Sequence, residues 1–288
     1  MSSPPPTSPY AVPVLRPIVH RIDPLLGLTG LCAGFDRRAW RADALAQYLT
    51  DQLPGFCLSH GELAGLSADT MTQLVREAAN LVYTSKKFAK RGEFGELLLH
   101  VVLRQVFATV PAISKIYYKD SANDTVKGFD AVHVVVTATG LELWLGEVKF
   151  YSDVRRAITD VVKELGQHTE RQYLRREFAA IQRKVDRSWP HADRLLRLLH
   201  EHTPLDEVFD AACVPVLLTY DSATLGGHEA HTDACLAALE AEMEAHHATF
   251  RGCALPKDVR IHLFLVPLRT KKLLLQALDR KLRVWQQI

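Results

Sequence analysis

The 288-residue sequence predicts an α/β fold, a mixed central sheet flanked by helices, with a mainly helical N-terminal region. Three observations carry this prediction. Residues 131–137 (AVHVVVT) and 141–150 (LELWLGEVKF) are β-rich runs joined by a short glycine-containing loop, the pattern of a hairpin. Residues 213–220 and 259–268 are apolar runs that read as buried strands. Helical patterns separate and flank these runs, which suits one sheet covered by helices.

In chain order, residues 1–13 (MSSPPPTSPYAVP) are Pro/Ser-rich and read as a disordered arm. A short strand is expected at 14–21. Residues 37–108 read as helical, with breaks at Pro54-Gly55 and near 86–91 and a Ser67 N-cap. The first core strand is expected at 112–118, followed by the hairpin. One long helix is expected from 154 to about 187, capped by Ser152 or Asp153. Helices at about 192–202, 231–250 and 270–287 complete the cover. Pro215 favours an early or edge position for its strand. The division expected is an arm (1–13), a helical region (14–89) and an α/β domain (90–288).

Composition bounds the function. Hydrophobic residues make up 48% and charged residues 24%, as in soluble globular proteins, and the net charge of +2 predicts no nucleic-acid binding on its own. Any such affinity has to come from local patches. No apolar run reaches the ~18 residues of a membrane span, and the N-terminus lacks a signal-peptide core, so a cytoplasmic protein without a membrane partner is expected. The five cysteines form no CxxC pair and read as reduced thiols. His228 and His231 lie at one end of a helix and His246 and His247 near the other. About 22 Å separates the ends of such a helix at ~1.5 Å per residue, which excludes one shared site, so all four are read as surface residues.

The candidate chemistry lies at Asp130, Glu147 and Lys149. Residues two apart on a strand face the same side. If the loop is Ala138-Thr139, Asp130 stands opposite Glu147; if it is Thr139-Gly140, opposite Lys149. Both put all three charges on the face that carries Val132, Val134, Val136, Leu141, Leu143 and Leu145. An odd-length loop would turn Asp130 away. Charge at the end of an apolar face is costly unless it is paired or metal-bound. The structural alternative is a salt bridge closing the sheet end. The functional reading is a metal-dependent phosphodiesterase: Asp130, Glu147 and the Val148 carbonyl supply oxygen ligands to Mg²⁺. Lys149 then orients water or stabilises the transition state. Upstream, Glu93 and Glu96 share a helical face with His100, and Glu96, directly or through water, is the stronger candidate for a fourth acidic group. Arg155 and Arg156, beside this cluster, are placed to hold phosphates.

The motifs RGEFGELLLH, KGFDAVHV and GEVKFYSD, in that order over residues 90–165, resemble the HamA nuclease subunits of the Hachiman anti-phage system, within the PD-(D/E)xK superfamily. The resemblance implies a restriction-endonuclease-like core and a Mg²⁺-dependent nuclease, with Mn²⁺ able to substitute. It gives Glu96, Asp130, Glu147 and Lys149 the catalytic and metal roles. It also implies a DNA substrate and control by a HamB-like helicase partner. Phe129 stands where the superfamily name has proline. Two other readings stay open: a non-catalytic nucleic-acid- or protein-binding subunit on the same fold, and a stand-alone restriction-type enzyme. The latter lacks any helix-turn-helix or zinc-finger signal.

Overall fold

A computed structural model of the chain describes residues 13–67, 69–82, 92–113, 128–138 and 140–287. The elements run β1 (Arg16–Arg21), β2 (Leu26–Cys32), a small hairpin of β3 (Phe35–Asp36) and β4 (Ala39–Trp40), and helices α1 (Ala42–Thr50), α2 (Leu53–Cys57), α3 (His60–Ala64), α4 (Met71–Val82) and α5 (Glu93–Phe107). Then come β5 (Val110–Pro111), β6 (Ala131–Val136), β7 (Leu141–Phe150), α6 (Val154–His168), α7 (Arg171–Lys184), α8 (Ala192–Leu198) and α9 (Leu205–Asp210). The chain closes with β8 (Ala212–Asp221), α10 (Ala223–Gly227), α11 (Asp233–Arg251), β9 (Arg260–Leu268) and α12 (Lys271–Gln287).

Among the described residues, seven strands form one mixed sheet in the order β1-β2-β9-β8-β7-β6-β5. The four central strands β2, β9, β8 and β7 are parallel, and the pairs at both ends are antiparallel. Helices cover both faces. One face carries Ala131, Trp144, Val148 and Phe150 against the leucines of α5, and the other carries Val132, Val134, Leu143 and Leu145 against α7. The β8 and β9 side chains of that second face pack on α6 and α11. Such apolar burial, at roughly 25 cal/mol per Å² removed from water, is the main stabilising contribution.

Several elements differ from the sequence expectation. All seven residues of β2 are buried, so it shows no alternation by which a strand is recognised. Pro54 and Gly55 lie inside α2 rather than at a break, because proline in a first helical turn removes an N–H that has no intrahelical partner anyway. Ser67 and Thr70 bond reciprocally in the turn before α4, which begins at Met71. The strand expected at 112–118 lies outside the described residues from 114 onward; β5 ends at Pro111. The long helix from 154 divides at Thr169-Glu170. Glu170 takes an extended conformation there, turning the chain from the β8 face onto the hairpin. Pro215 sits in the sheet centre, not at its edge. The β7–β8 ladder is interrupted between Trp144/Cys213 and Glu147/Val216, so the missing N–H falls in a gap, opposite Gly146. His231 precedes the Thr232 cap of α11, and His247 is buried rather than a surface residue. The five cysteines are free thiols, four of them buried. No helix among the described residues is long and apolar enough to cross a membrane.

Candidate functional site

The hairpin register decides the position of Asp130. Ala131 pairs with Gly146 and Val136 with Leu141, while the Thr137 N–H donates to the Gly140 carbonyl. The pairing has the parity of the first even-loop alternative. It ends at Ala131, and beyond it the Asp130 N–H donates to the Gly146 carbonyl at 2.7 Å. Asp130 Oδ2 accepts from the Val148 N–H at 2.9 Å, which ties the carboxylate to the strand end. Gly128, just before it, has φ +140°, and a Cβ there would meet Glu177 Oε2 at 2.2 Å. At that φ a residue with a Cβ is strained and glycine is not.

Glu147 and Lys149 face α6 together with Tyr151, and each meets a side chain of that helix. Glu147 Oε1 lies 2.5 Å from His168 Nδ1. Lys149 Nζ donates to Glu164, and the Tyr151 hydroxyl donates to Asp160 at 3.0 Å. The spacing explains the match. Two residues of strand rise about 6.7 Å and four residues of helix about 6.0 Å, so positions 147, 149, 151 and 168, 164, 160 run alongside each other as three rungs. Asp153 starts the helix, accepting from the Arg156 N–H at 2.9 Å.

The rungs differ in burial and hence in electrostatics. Glu147 is 1% exposed and Lys149 8%. Burial pushes the Glu147 carboxyl up to about 7, against the opposing hydrogen bond from His168. Burial alone would lower the His168 imidazolium, but Glu147 outweighs it and the net shift is upward. Lys149 behaves likewise: burial depresses its ammonium, and Glu164 holds it above the ordinary lysine value. Tyr173 stacks on His168, with centroids 4.3 Å apart, and Phe129 meets the same ring edge-on.

A cavity of about 510 Å³ opens at this end of the sheet. Glu96, Asp130, Val148 and Lys149 line it, joined by Tyr151, Arg156 and Lys271. Glu96 reaches it from α5, on the opposite face of the sheet from α6. Gly95 permits that approach, since a Cβ there would stand 2.9 Å from Phe150 Cβ and 3.1 Å from Val148 Cγ2. Glu93 and Glu147 are not part of the lining; Glu147 lies beside the cavity, within electrostatic reach of Asp130. Of the two arginines, Arg156 lines the cavity and stands over the Tyr151 ring, while Arg155 acts on His246 instead. His100 is buried, its Nδ1 3.2 Å from His133 Nε2 on the hairpin.

Among the described residues, no group of three or more His, Cys, Asp and Glu side chains is placed to hold a metal ion. Asp130 and Glu147 lie within electrostatic reach of each other. Their chemistry suits a hard cation such as Mg²⁺, which takes one or two protein carboxylates and keeps several waters.

Sequence reasoning placed His168, with Gln167, as a polar residue on this helix able to reach a metal-bound water, and assigned no role to Glu164, Tyr173 or Lys271. The i, i+4 spacing of Asp160, Glu164 and His168 is the signal that finds Glu164 and His168, since it puts three polar groups on one helical face. Nothing local marks Lys271, which lies 122 residues beyond Lys149 in the chain.

No curated protein matches the chain. A family model matches residues 14–282 of its 288, nearly the whole described structure, and by that match the chain belongs to the HamA family.

Proposed function

We propose that this chain is a Mg²⁺-dependent DNA nuclease of the PD-(D/E)xK type, the effector subunit of an anti-phage complex controlled by a HamB-like helicase. Membership of the HamA family supports a nuclease or effector role in general. The observation that supports the finer reading is the meeting of Glu96, Asp130 and Lys149 at one cavity, with Glu147 within electrostatic reach of Asp130.

In this reading Asp130 and Glu147 hold the cation, with the Val148 carbonyl as a third donor. Such an ion would supply a coordinated water of lowered pKa and offset negative charge on the phosphate. The chain's own groups do the rest. Lys149, kept protonated by Glu164, places a fixed positive charge where the phosphate gains negative charge during attack by water. Water's oxygen bonds to phosphorus while one P–O ester bond breaks, leaving an alcohol and a phosphate monoester. Glu96 accepts a hydrogen bond from the attacking water. His168 fixes the orientation of Glu147. DNA is the substrate class, and Arg156 contributes to its phosphate contacts.

The test is Mg²⁺-dependent cleavage of plasmid and linear DNA by the purified chain, with and without EDTA. Glu147→Ala and Lys149→Ala abolish cleavage with the fold intact by circular dichroism. Cleavage by both variants at the wild-type rate sinks the assignment. A second reading, a non-catalytic binding subunit, is favoured by one observation: Glu147 and Lys149 are both already engaged by α6. It predicts unchanged DNA binding in the same variants and no cleavage by the wild type.

A further inference from the structure

Among the described residues, three cations line the cavity: Lys149, Arg156 and Lys271. Two of them face carboxylates on α6, since Lys149 bonds Glu164 and Arg156 Nε lies 3.8 Å from Asp160. Lys271 is different. It comes from the start of α12, at the far end of the chain, and its Nζ donates to the Phe150 carbonyl at 2.5 Å. The ammonium also stands 4.9 Å from the Phe150 ring centroid. Among the described residues no carboxylate forms an ion pair with it.

An ammonium has three N–H donors, and one carbonyl satisfies one of them. The group is half-buried, and burial lowers its pKa, with Asp221 opposing. Its backbone is anchored separately: the Lys271 N–H donates to Asp221 Oδ1 at 2.6 Å, at the end of β8. The side chain is therefore held at the cavity wall, partly desolvated, with donors to spare. An anion entering the cavity supplies the acceptor that the protein does not, in a charge-assisted bond.

We propose that Lys271 is a phosphate-binding residue of this site, gripping a DNA backbone phosphate beside the one presented to Asp130 and Lys149. This deepens the nuclease reading and rests on it for the identity of the substrate. Lys271 acts in positioning: it fixes the strand relative to the acidic groups and takes no part in bond making.

The test measures binding of fluorescein-labelled DNA, single-stranded and duplex, by anisotropy across a range of KCl concentrations, in Ca²⁺ buffer with the full chain. Lys271→Gln keeps a donor to the Phe150 carbonyl and loses the charge; Lys271→Arg keeps the charge. Lys272→Met removes a neighbouring exposed charge that does not line the cavity. The expected result for Lys271→Gln is about tenfold weaker binding. Its log–log salt slope is smaller by about 0.9 for duplex or about 0.7 for single strands, one phosphate contact's worth. Lys271→Arg and Lys272→Met keep the wild-type slope. A structural role for Lys271 would lower thermal stability without changing the slope. Wild-type affinity and slope in Lys271→Gln overturn the proposal, as does an equal change in Lys272→Met, or no DNA binding by the wild type. If the slope falls as expected but the wild type cuts no DNA with Mg²⁺, the phosphate contact stands and the nuclease reading fails. If the wild type cuts and the slope does not move, the reverse holds.

Discussion

Glu147 and His168, 21 residues apart in the chain, meet at 2.5 Å with Glu147 almost fully buried. Removing the imidazole leaves a buried carboxyl without that partner. Because burial already pushes Glu147 up to about 7, it takes up a proton rather than staying charged, which limits the penalty. His168→Ala is expected to cost about 2–3 kcal/mol in urea unfolding at neutral pH. A cost below a few tenths of that would show that the contact does not constrain the fold.

The outermost rung provides the contrast. Tyr151 and Asp160 are part-buried at the rim of the cavity, where water replaces a lost bond. Tyr151→Phe is expected to cost less than about 1 kcal/mol. Unfolding measured beside His168→Ala checks the order of the rungs: equal losses at both would mean that burial does not grade them.

Glycine supplies a pair of opposite outcomes. A Cβ on Gly95 would press into Phe150 and Val148, so Gly95→Ala forces α5 away from β7 and carries Glu96 with it. An expected loss of about 1–3 kcal/mol follows, together with loss of cleavage. Gly166, exposed in the last turn of α6, would meet nothing within 4 Å. Gly166→Ala is expected to raise stability by about 0.5–1 kcal/mol. Thermal melts of the two variants that move in the same direction would contradict this packing.

Acid sensitivity has an identifiable source away from the site. His262 Nε2 bonds Thr29 Oγ1 at 2.8 Å, and His20 Nδ1 shares that hydroxyl at 2.8 Å. Burial, then the neighbouring His20 and Arg260, push His262 down to about 3 from 6.5. Between those values the unfolded chain binds the proton and the folded one does not. The stabilisation is therefore complete above pH 6.5 and is lost as pH falls toward 3, by up to about 1.4 kcal/mol per pH unit. Buried His133, pushed to about 3 mainly by burial, acts in the same direction. His262→Gln is expected to flatten the plot of unfolding free energy against pH in this window. An unchanged slope would rule His262 out as a source.

The sequence by itself determined which residues share a face. Alternation along the hairpin put Glu147 and Lys149 on one face, and Asp130 with them on the condition of an even loop, which the hairpin pairing meets. Helical spacing put Glu93, Glu96 and His100 on one side of α5. What lay beyond the sequence was which faces meet. Periodicity reports orientation within an element, while docking depends on where the chain turns and how closely elements approach. The break at Thr169-Glu170 sets where α6 ends and α7 begins, and docking of α6 on β7 brings His168 to Glu147 and Glu164 to Lys149. The absence of a Cβ at Gly95 lets α5 close on β7, so that Glu96 and not Glu93 lines the cavity. Pro215 reads as a signal of an early or edge position; its strand is central, and the ladder tolerates the missing N–H because the pairing with β7 is interrupted there. Lys271 reaches the same cavity only because β8 and β9 carry the end of the chain back beside β7, a long-range placement that no local pattern encodes.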